Sequence, residues 1–318
     1  STYYNQGSLN NKGVEFSLNA QVIDSSSWKW SVSGNIGVNR NEISDLGLLP
    51  ADFGCLGERV GYYGNSLGDH FGVGHIFLAG EAPGLFYGYV TQGIVQKEDI
   101  TENGIKYIKQ DGSVGYYQTV NKTTPVAGDV KYVDRNGDGV VDDNDRDIIG
   151  NPNPDFTYGF QTKVSWKSLS LSASFNGVQG RDILNVGNRY NNTPGTKSNN
   201  VTRKAFQNMW TDENPSNLYP KSTFVVQNMV MDRYVEDGSY LRCSDITLSY
   251  ILPAKWTNKI GIKNTSVYAS VKNAFVITDY SGYDPEVNSF AFDGLRPGVD
   301  MNSYPTPRSF VFGLNLTF

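Results

Sequence analysis

The chain has 318 residues, with 27 Lys and Arg against 32 Asp and Glu, a formal net charge of -5 and 38% hydrophobic residues. This acidic balance argues against a nucleic-acid partner, and no run is long and apolar enough for a transmembrane helix. Cys55 and Cys243 have neither the spacing of a metal knuckle nor the number of a disulfide framework, so both read as structural thiols.

Taken in chain order, the first element is an alternating run, Val14, Phe16, Leu18, Ala20 and Val22. A turn through Asp24 to Ser27 follows, and then Trp28, Trp30, Val32, Ile36 and Val38 repeat the period-two pattern of a strand with one apolar face. A long connection comes next. Within it, His70 and His75 are five apart in a Gly-rich stretch, a spacing that suits neither a helix face nor a strand face, and both are read as loop residues. The stretch Leu85 to Val95, with Phe86, Tyr87 and Tyr89, allows two readings: ordinary loop packing, or an aromatic surface for a lid or a sugar.

The same connection carries Asp134 to Asp145 (DRNGDGVVDDND). Asp134, Asn136 and Asp138 stand at positions one, three and five of a calcium-type loop. Gly139 permits the turn at six, the Val140 carbonyl falls at seven, and Asp142 and Asp145 fall at nine and twelve. Hard oxygen ligands at this spacing suit a structural Ca2+ that stiffens an outer loop. Asp in place of Glu at twelve and the lack of flanking amphipathic helices depart from the EF-hand, and an Asp/Asn/Gly turn is the plainer alternative.

A hairpin follows, Asp155 to Trp166 answered across Lys167 and Ser168 by Leu169, Leu171, Ala173 and Phe175. A short loop helix is expected over 201–210, ended by Thr211 to Pro215. Leu241 and Cys243 differ in parity from Ile246, Leu248, Tyr250 and Leu252, which requires a bulge near Ser244 or Asp245. Strands over 264–277 and 309–318 complete the series, the last with Phe310, Phe312, Leu314, Leu316 and Phe318 on one face.

A strand crossing lipid at a tilt needs about nine to eleven residues. Alternation alone also fits a soluble sandwich, but the connections alternate between short and long, as in an outer-membrane barrel. Trp28, Trp30, Trp166 and Trp256 lie beside the short connections, where an interfacial belt belongs, and only Trp210 lies in a long loop. About seven strands cannot close a barrel, so earlier strands are expected before Ser1, which is neither an initiator Met nor the start of a signal peptide.

The segments Gly128 to Asp147, Gly150 to Phe160, Gly177 to Gly180, Val235 to Arg242, Tyr280 to Glu286 and Phe312 to Phe318 resemble the carboxy-terminal barrel region of SusC/RagA-type TonB-dependent transporters. The least similar stretch is Asp52 to Ala82. The resemblance implies an all-β, antiparallel transmembrane barrel of 22 strands with an amino-terminal plug, of which this chain would be about the last seven strands. Its long extracellular loops would be about residues 41–153, 180–238 and 278–307, with the plug and earlier strands absent. It further implies import of oligosaccharides, glycans or peptides across the outer membrane of Bacteroidota. The implied partners are a SusD-like surface lipoprotein acting as a lid and TonB-ExbB-ExbD, reached through the absent amino-terminal part. No Gly-x-Ser-x-Gly elbow or persuasive His dyad suggests an enzyme. The competing reading is a secreted, calcium-stabilised β-sandwich that binds carbohydrate.

Overall fold

In the computed structural model the described residues are 7–47, 61–64, 67, 72–193, 200–222, 229–257, 262, 264–291, 293–294 and 296–317. Cys55, His70 and Phe318 lie outside them. Seven long strands form one sheet: β1 (Ser8–Asp24), β2 (Trp28–Asp45), β3 (Phe156–Trp166), β4 (Leu169–Gln179), β5 (Tyr240–Ile251), β6 (Asn264–Thr278) and β7 (Ser309–Thr317). Each pairs antiparallel with the next in chain order, so the sheet is a plain meander whose two outer strands are β1 and β7. Short connections join strands at one end, and the three long loops, 46–155, 180–239 and 279–308, all leave from the other.

Register puts like with like across the sheet. Leu18, Gly34, Phe160, Phe175, Cys243 and Phe275 lie in one cross-strand row. Val164, Leu171, Leu248, Ala269 and Phe312 lie in another. This face is bare: Phe16 is 62% and Phe312 79% exposed. A β-sandwich would bury it under a second sheet, and among the described residues nothing does so. The opposite face carries rows such as Asn19, Ser33, Gln161, Ser174, Asp245 and Lys272.

Two bulges preserve this sorting. Val22 is skipped between the Gln21 and Ile23 pairs, and Ser244 is skipped between Cys243 and Asp245. The second is the irregularity expected from parity: it keeps Cys243 and Ile246 on the apolar face while Asp245 turns to the polar one. Two glycines are also positional. A Cβ on Gly177 would strike the Tyr158 ring and one on Gly313 the Tyr268 ring, so each tyrosine lies over its directly paired glycine.

β1 and β2 are longer than the apolar alternation suggested, because Asn39 to Asp45 continue the ladder with Ser8 to Gly13 on mostly polar side chains, Leu9 opposite Ile43 being the one apolar pair. The first long loop therefore begins near residue 46 rather than 41. At 17 and 18 residues, these strands outrun the roughly eleven needed to cross lipid. Their far end enters the loop body, where the Ile43 amide donates to the Glu81 carbonyl (2.9 Å) and the Gly80 amide donates to the Ile43 carbonyl (2.7 Å).

The loops fold on one another. Residues Phe86, Tyr107, Tyr117 and Tyr132 from the first loop share one hydrophobic cluster with Leu184, Val186 and Met231 from the second and Val299 from the third. A small sheet reinforces this, with Asp182–Asn185 flanked by Val235–Asp237 and Val299–Asp300. The expected loop helix is present as Arg203–Asn208, capped by the Thr202 hydroxyl accepting from the Ala205 amide.

Candidate functional site

The polar face is the first functional surface. The Ser244 bulge places Asp245 on it, and this carboxylate accepts from Thr247 Oγ1 (2.8 Å) and Ser270 Oγ (2.7 Å) and pairs with Lys272 Nζ (2.6 Å). Around it the face is mostly amide and hydroxyl: Asn19, Gln21, Ser31, Ser33, Gln161 and Ser174 line a cavity of about 500 Å³.

The second surface lies where the third long loop meets that face. Arg242 and Asn176 are register neighbours on the polar face. Arg242 Nη2 donates to Asp284 Oδ1 at 2.5 Å, Arg242 Nε lies 3.2 Å from Glu286 Oε2, and Asn176 Nδ2 donates to Glu286 Oε1 at 3.0 Å. Arg242 and Asp284 are almost fully buried. Burial pushes the Asp284 carboxyl up, but the Glu286 and Thr306 amides and the Arg242 charge outweigh it and hold the group below its usual range. Arg181 donates to the Pro285 carbonyl. Upstream, Glu236 accepts from the Ser281 amide (2.8 Å) and hydroxyl (2.9 Å), and the Tyr280 hydroxyl donates to Asp300 (2.7 Å). Residues 280–286 are thus strapped to the polar face at one end and to the loop body at the other. The sequence showed this segment only as part of a resemblance, because its partners are about 20 to 110 positions away.

The Asp-rich loop closes on its own amides. Asp134, buried, accepts from the Gly137 amide (2.7 Å) and the Gly139 amide (2.9 Å). Asp145, also buried, accepts from the amides of Arg135 (2.7 Å), Asn136 (3.3 Å) and Asp142 (2.8 Å). Asn136 and Asp138 accept from the Asp138 and Val140 amides, and Asp142 accepts from the Asn144 amide. Burial raises the Asp145 pKa, with the Asp134 charge adding to it against the three amides. The Gly139 and Val141 carbonyls accept from the Gln118 and Asn121 amides, so in this extended stretch the Val140 carbonyl points the other way. Among the described residues no group of three or more His, Cys, Asp or Glu side chains is placed to hold a metal ion. Tyr107 donates to the Asp134 carbonyl (2.6 Å), and burial beside Asp134 and Asp145 pushes its phenol up to about 12, so it remains a donor.

One other reading changes and one is decided between its alternatives. His75 is a buried strand residue rather than a loop residue, within His75–Leu78, edge-on to Phe86, with Nε2 3.0 Å from the Pro297 carbonyl. Phe86, Tyr87 and Tyr89 are buried as well, which settles that stretch as loop packing and removes it as a surface for sugar or a lid.

No protein-family model matches the sequence. It is 31% identical over 323 residues to TonB-dependent receptor P26 of Formosa agariphila, and 32% identical over 323 residues to TonB-dependent receptor SusC of Bacteroides thetaiotaomicron. Both alignments cover 99% of this chain. The chain belongs to the SusC/RagA family of TonB-dependent receptors. It spans 30% and 27% of the length of those two receptors. Among solved structures, the RagAB peptide transporter superposes with a TM-score of 0.70 at 26% identity, over 100% of this chain and 30% of that one. The RagAB peptide importer in the "open-open" state gives 0.67 over 98% of this chain. The bare apolar face and polar opposite face are therefore those of a TonB-dependent receptor wall.

Proposed function

We propose that the chain forms part of the wall and the outer loops of a nutrient importer in the bacterial outer membrane. The apolar face meets lipid, the polar face lines the lumen, and the loop body stands on the extracellular side. The observation that supports this best is the sorting of seven strands into one exposed apolar and one polar face, with all three long loops gathered at a single end. The cargo class proposed is an oligosaccharide, glycan or peptide. A SusD-like lipoprotein would cover the loop body, and TonB-ExbB-ExbD would supply force through the remainder of the receptor.

The names of the relatives are those of receptors and transporters, which accords with a non-enzymatic role. Ca2+ in the loop of Asp134, Asn136, Asp138, Val140, Asp142 and Asp145 remains a proposal. It rests on spacing and on the crowding of carboxylates, and the ion would stiffen the loop without taking part in chemistry.

The importer reading is tested by deleting the gene for the full receptor in its source organism and growing the strain on polymeric glycans and on protein digests. Growth should fail on one such source and remain normal on the corresponding monomers. Complementation should require both TonB and a co-purifying surface lipoprotein. Unchanged growth on every polymer and peptide source would refute it.

A further inference from the structure

We infer that Trp28, Trp166 and Lys167 form a clamp for the phosphate of an anionic phospholipid in the inner leaflet of the outer membrane. This rests on the importer reading, which puts the three long loops outside and the short connections at the periplasmic surface.

Strand length gives the position. β3 runs for 11 residues from Phe156 to Trp166. At about 3.3 Å per residue and a tilt of about 40° it rises about 25 Å, the height of the lipid-facing band of an outer-membrane barrel. Trp166 therefore stands at the lower margin of that band, on the apolar face and directly paired with Trp28 of β2. The two rings are stacked, with centroids 5.9 Å apart. Lys167, the next residue, holds its Nζ 5.4 Å from the centre of the Trp166 ring.

The clamp is ordered before any lipid arrives. Lys167 takes a left-handed backbone conformation (φ 50°), its amide donates to the Ser27 carbonyl (2.8 Å), and the Ser168 carbonyl accepts from the Ile251 amide (2.9 Å). The turn is thus tied to the β1–β2 connection on one side and to β5 on the other, so the strands that border it all belong to the described chain. Strands supplied by the rest of the receptor would lie beyond β1 and β7, away from this site.

A set of unsatisfied donors selects the ligand. Deeper in the band, Trp30 Nε1 donates to Thr162 Oγ1 (3.0 Å). At the margin, Trp28 and Trp166 find no acceptor for their indole N–H among the described residues, and Lys167 finds no carboxylate there. Asp24, at the same end of the sheet, is engaged by Lys29 at 3.7 Å. Two N–H donors and an ammonium side by side call for a group that is negative and only accepts, and at the edge of the hydrocarbon that group is a lipid phosphate. Its acyl chains would lie along the exposed Leu171 and Phe160 above the tryptophans. The ammonium of an ethanolamine or choline headgroup would meet Lys167 with no unengaged carboxylate to offset it, so a headgroup of net negative charge fits best.

The test uses the full receptor, purified in detergent with any lipoprotein that accompanies it and stripped of native lipid. Native mass spectrometry titrates it with phosphatidylglycerol, phosphatidylethanolamine and phosphatidylcholine of matched acyl chains. Phosphatidylglycerol should bind tightest, and millimolar glycerol 3-phosphate should not displace it. Lys167→Gln should weaken it by about fivefold, the contribution of one cation at a lipid surface. Trp28→Phe with Trp166→Phe, which keeps both rings and removes both N–H donors, should weaken it by about tenfold. Trp30→Phe, whose N–H is already held by Thr162, and Lys12→Gln, at the loop end of β1, should leave it unchanged. Heat-modifiable migration should match wild type in every variant. Equal binding of the three lipids, or binding indifferent to Lys167→Gln, overturns the clamp. Loss with Lys167→Gln but not with the paired Trp→Phe change overturns it too, since that is plain charge attraction, and so does displacement by glycerol 3-phosphate. Each of these results leaves the importer standing, because growth on its cargo is read separately.

Discussion

The wall and the loop body use the same residue types in opposite ways. In the wall, Phe16, Phe160 and Phe312 face outward with nothing of the described chain over them, and the polar side chains are inside. In the loop body, Phe86, Tyr107 and Tyr132 are sealed in a shared core, and the polar residues form the rim. The wall is therefore stable only where something other than water covers its apolar face, whereas the loop body carries its own hydrophobic core. The difference teaches that the loop body has a core of its own, joined to the wall through the loop-side ends of β1 and β2 and the strap at 280–286.

The largest effects should separate the two regions. Phe86→Ala empties a fully buried site where all three loops meet, and should cost the loop body about 3–5 kcal/mol. Limited proteolysis should then cut the loops while the wall keeps its heat-modifiable migration in gels. In the opposite direction, Phe160→Arg puts a charge on the apolar face. It should cost about 2–4 kcal/mol of membrane insertion if the residue lies near the bilayer centre, as its place well inside β3 requires. Folding into lipid vesicles should fall, and a conformation-sensitive loop antibody should still recognise the protein that does insert. Loss of wall and loops together in both variants would show that the two are one cooperative unit.

The wall was legible in the sequence because a two-residue period records which face each side chain takes. Phe310, Phe312, Leu314 and Leu316 announce their strand, and the parity break between Cys243 and Ile246 announces the Ser244 bulge. The extension of β2 through Asn39 to Asp45 was not legible, since its ladder is made by backbone groups and the single apolar residue, Ile43, makes no period-two pattern. The burial of His75 escaped for another reason, and that of Phe86 and Tyr89, one of two readings the sequence allowed, could not be decided there for the same one. These residues pack against partners more than a hundred positions away, such as Met231 and Pro297, and local pattern carries no trace of such neighbours. The strap at 280–286 belongs to the same class, because the acid–base match of Asp284 with Arg242 is visible only once the fold brings them together.

The Asp-rich loop offers an intermediate effect within the loop body. If it takes Ca2+, a free ion concentration a hundredfold above its Kd should add about 2.7 kcal/mol to the loop body. Chelator should then speed proteolysis near residues 134–145 in the wild type and have no effect in the Asp138→Ala, Asp142→Ala double variant. Equal cleavage of wild type with and without chelator would remove the ion and leave the amide-closed turn as the whole account.

The smallest expected effect is a pH dependence confined to the loop body. Burial holds His75 below the ordinary imidazole value, with Arg296 adding to that and outweighing the Pro297 hydrogen bond and the Asp293 charge. A carbonyl can only accept, so the neutral ring donates its Nε2 proton to Pro297. With the folded pKa depressed, the unfolded loop binds the extra proton first, so stability is complete above about pH 6.5 and falls as pH drops toward the folded value. Protease protection of the loops at pH 5.5 should thus be lower than at pH 7.5, with the apolar face of the wall unaffected. His75→Asn should flatten the difference while lowering protection at both pH values. A wild-type difference that persists in that variant would assign the titration to another group in the loop body.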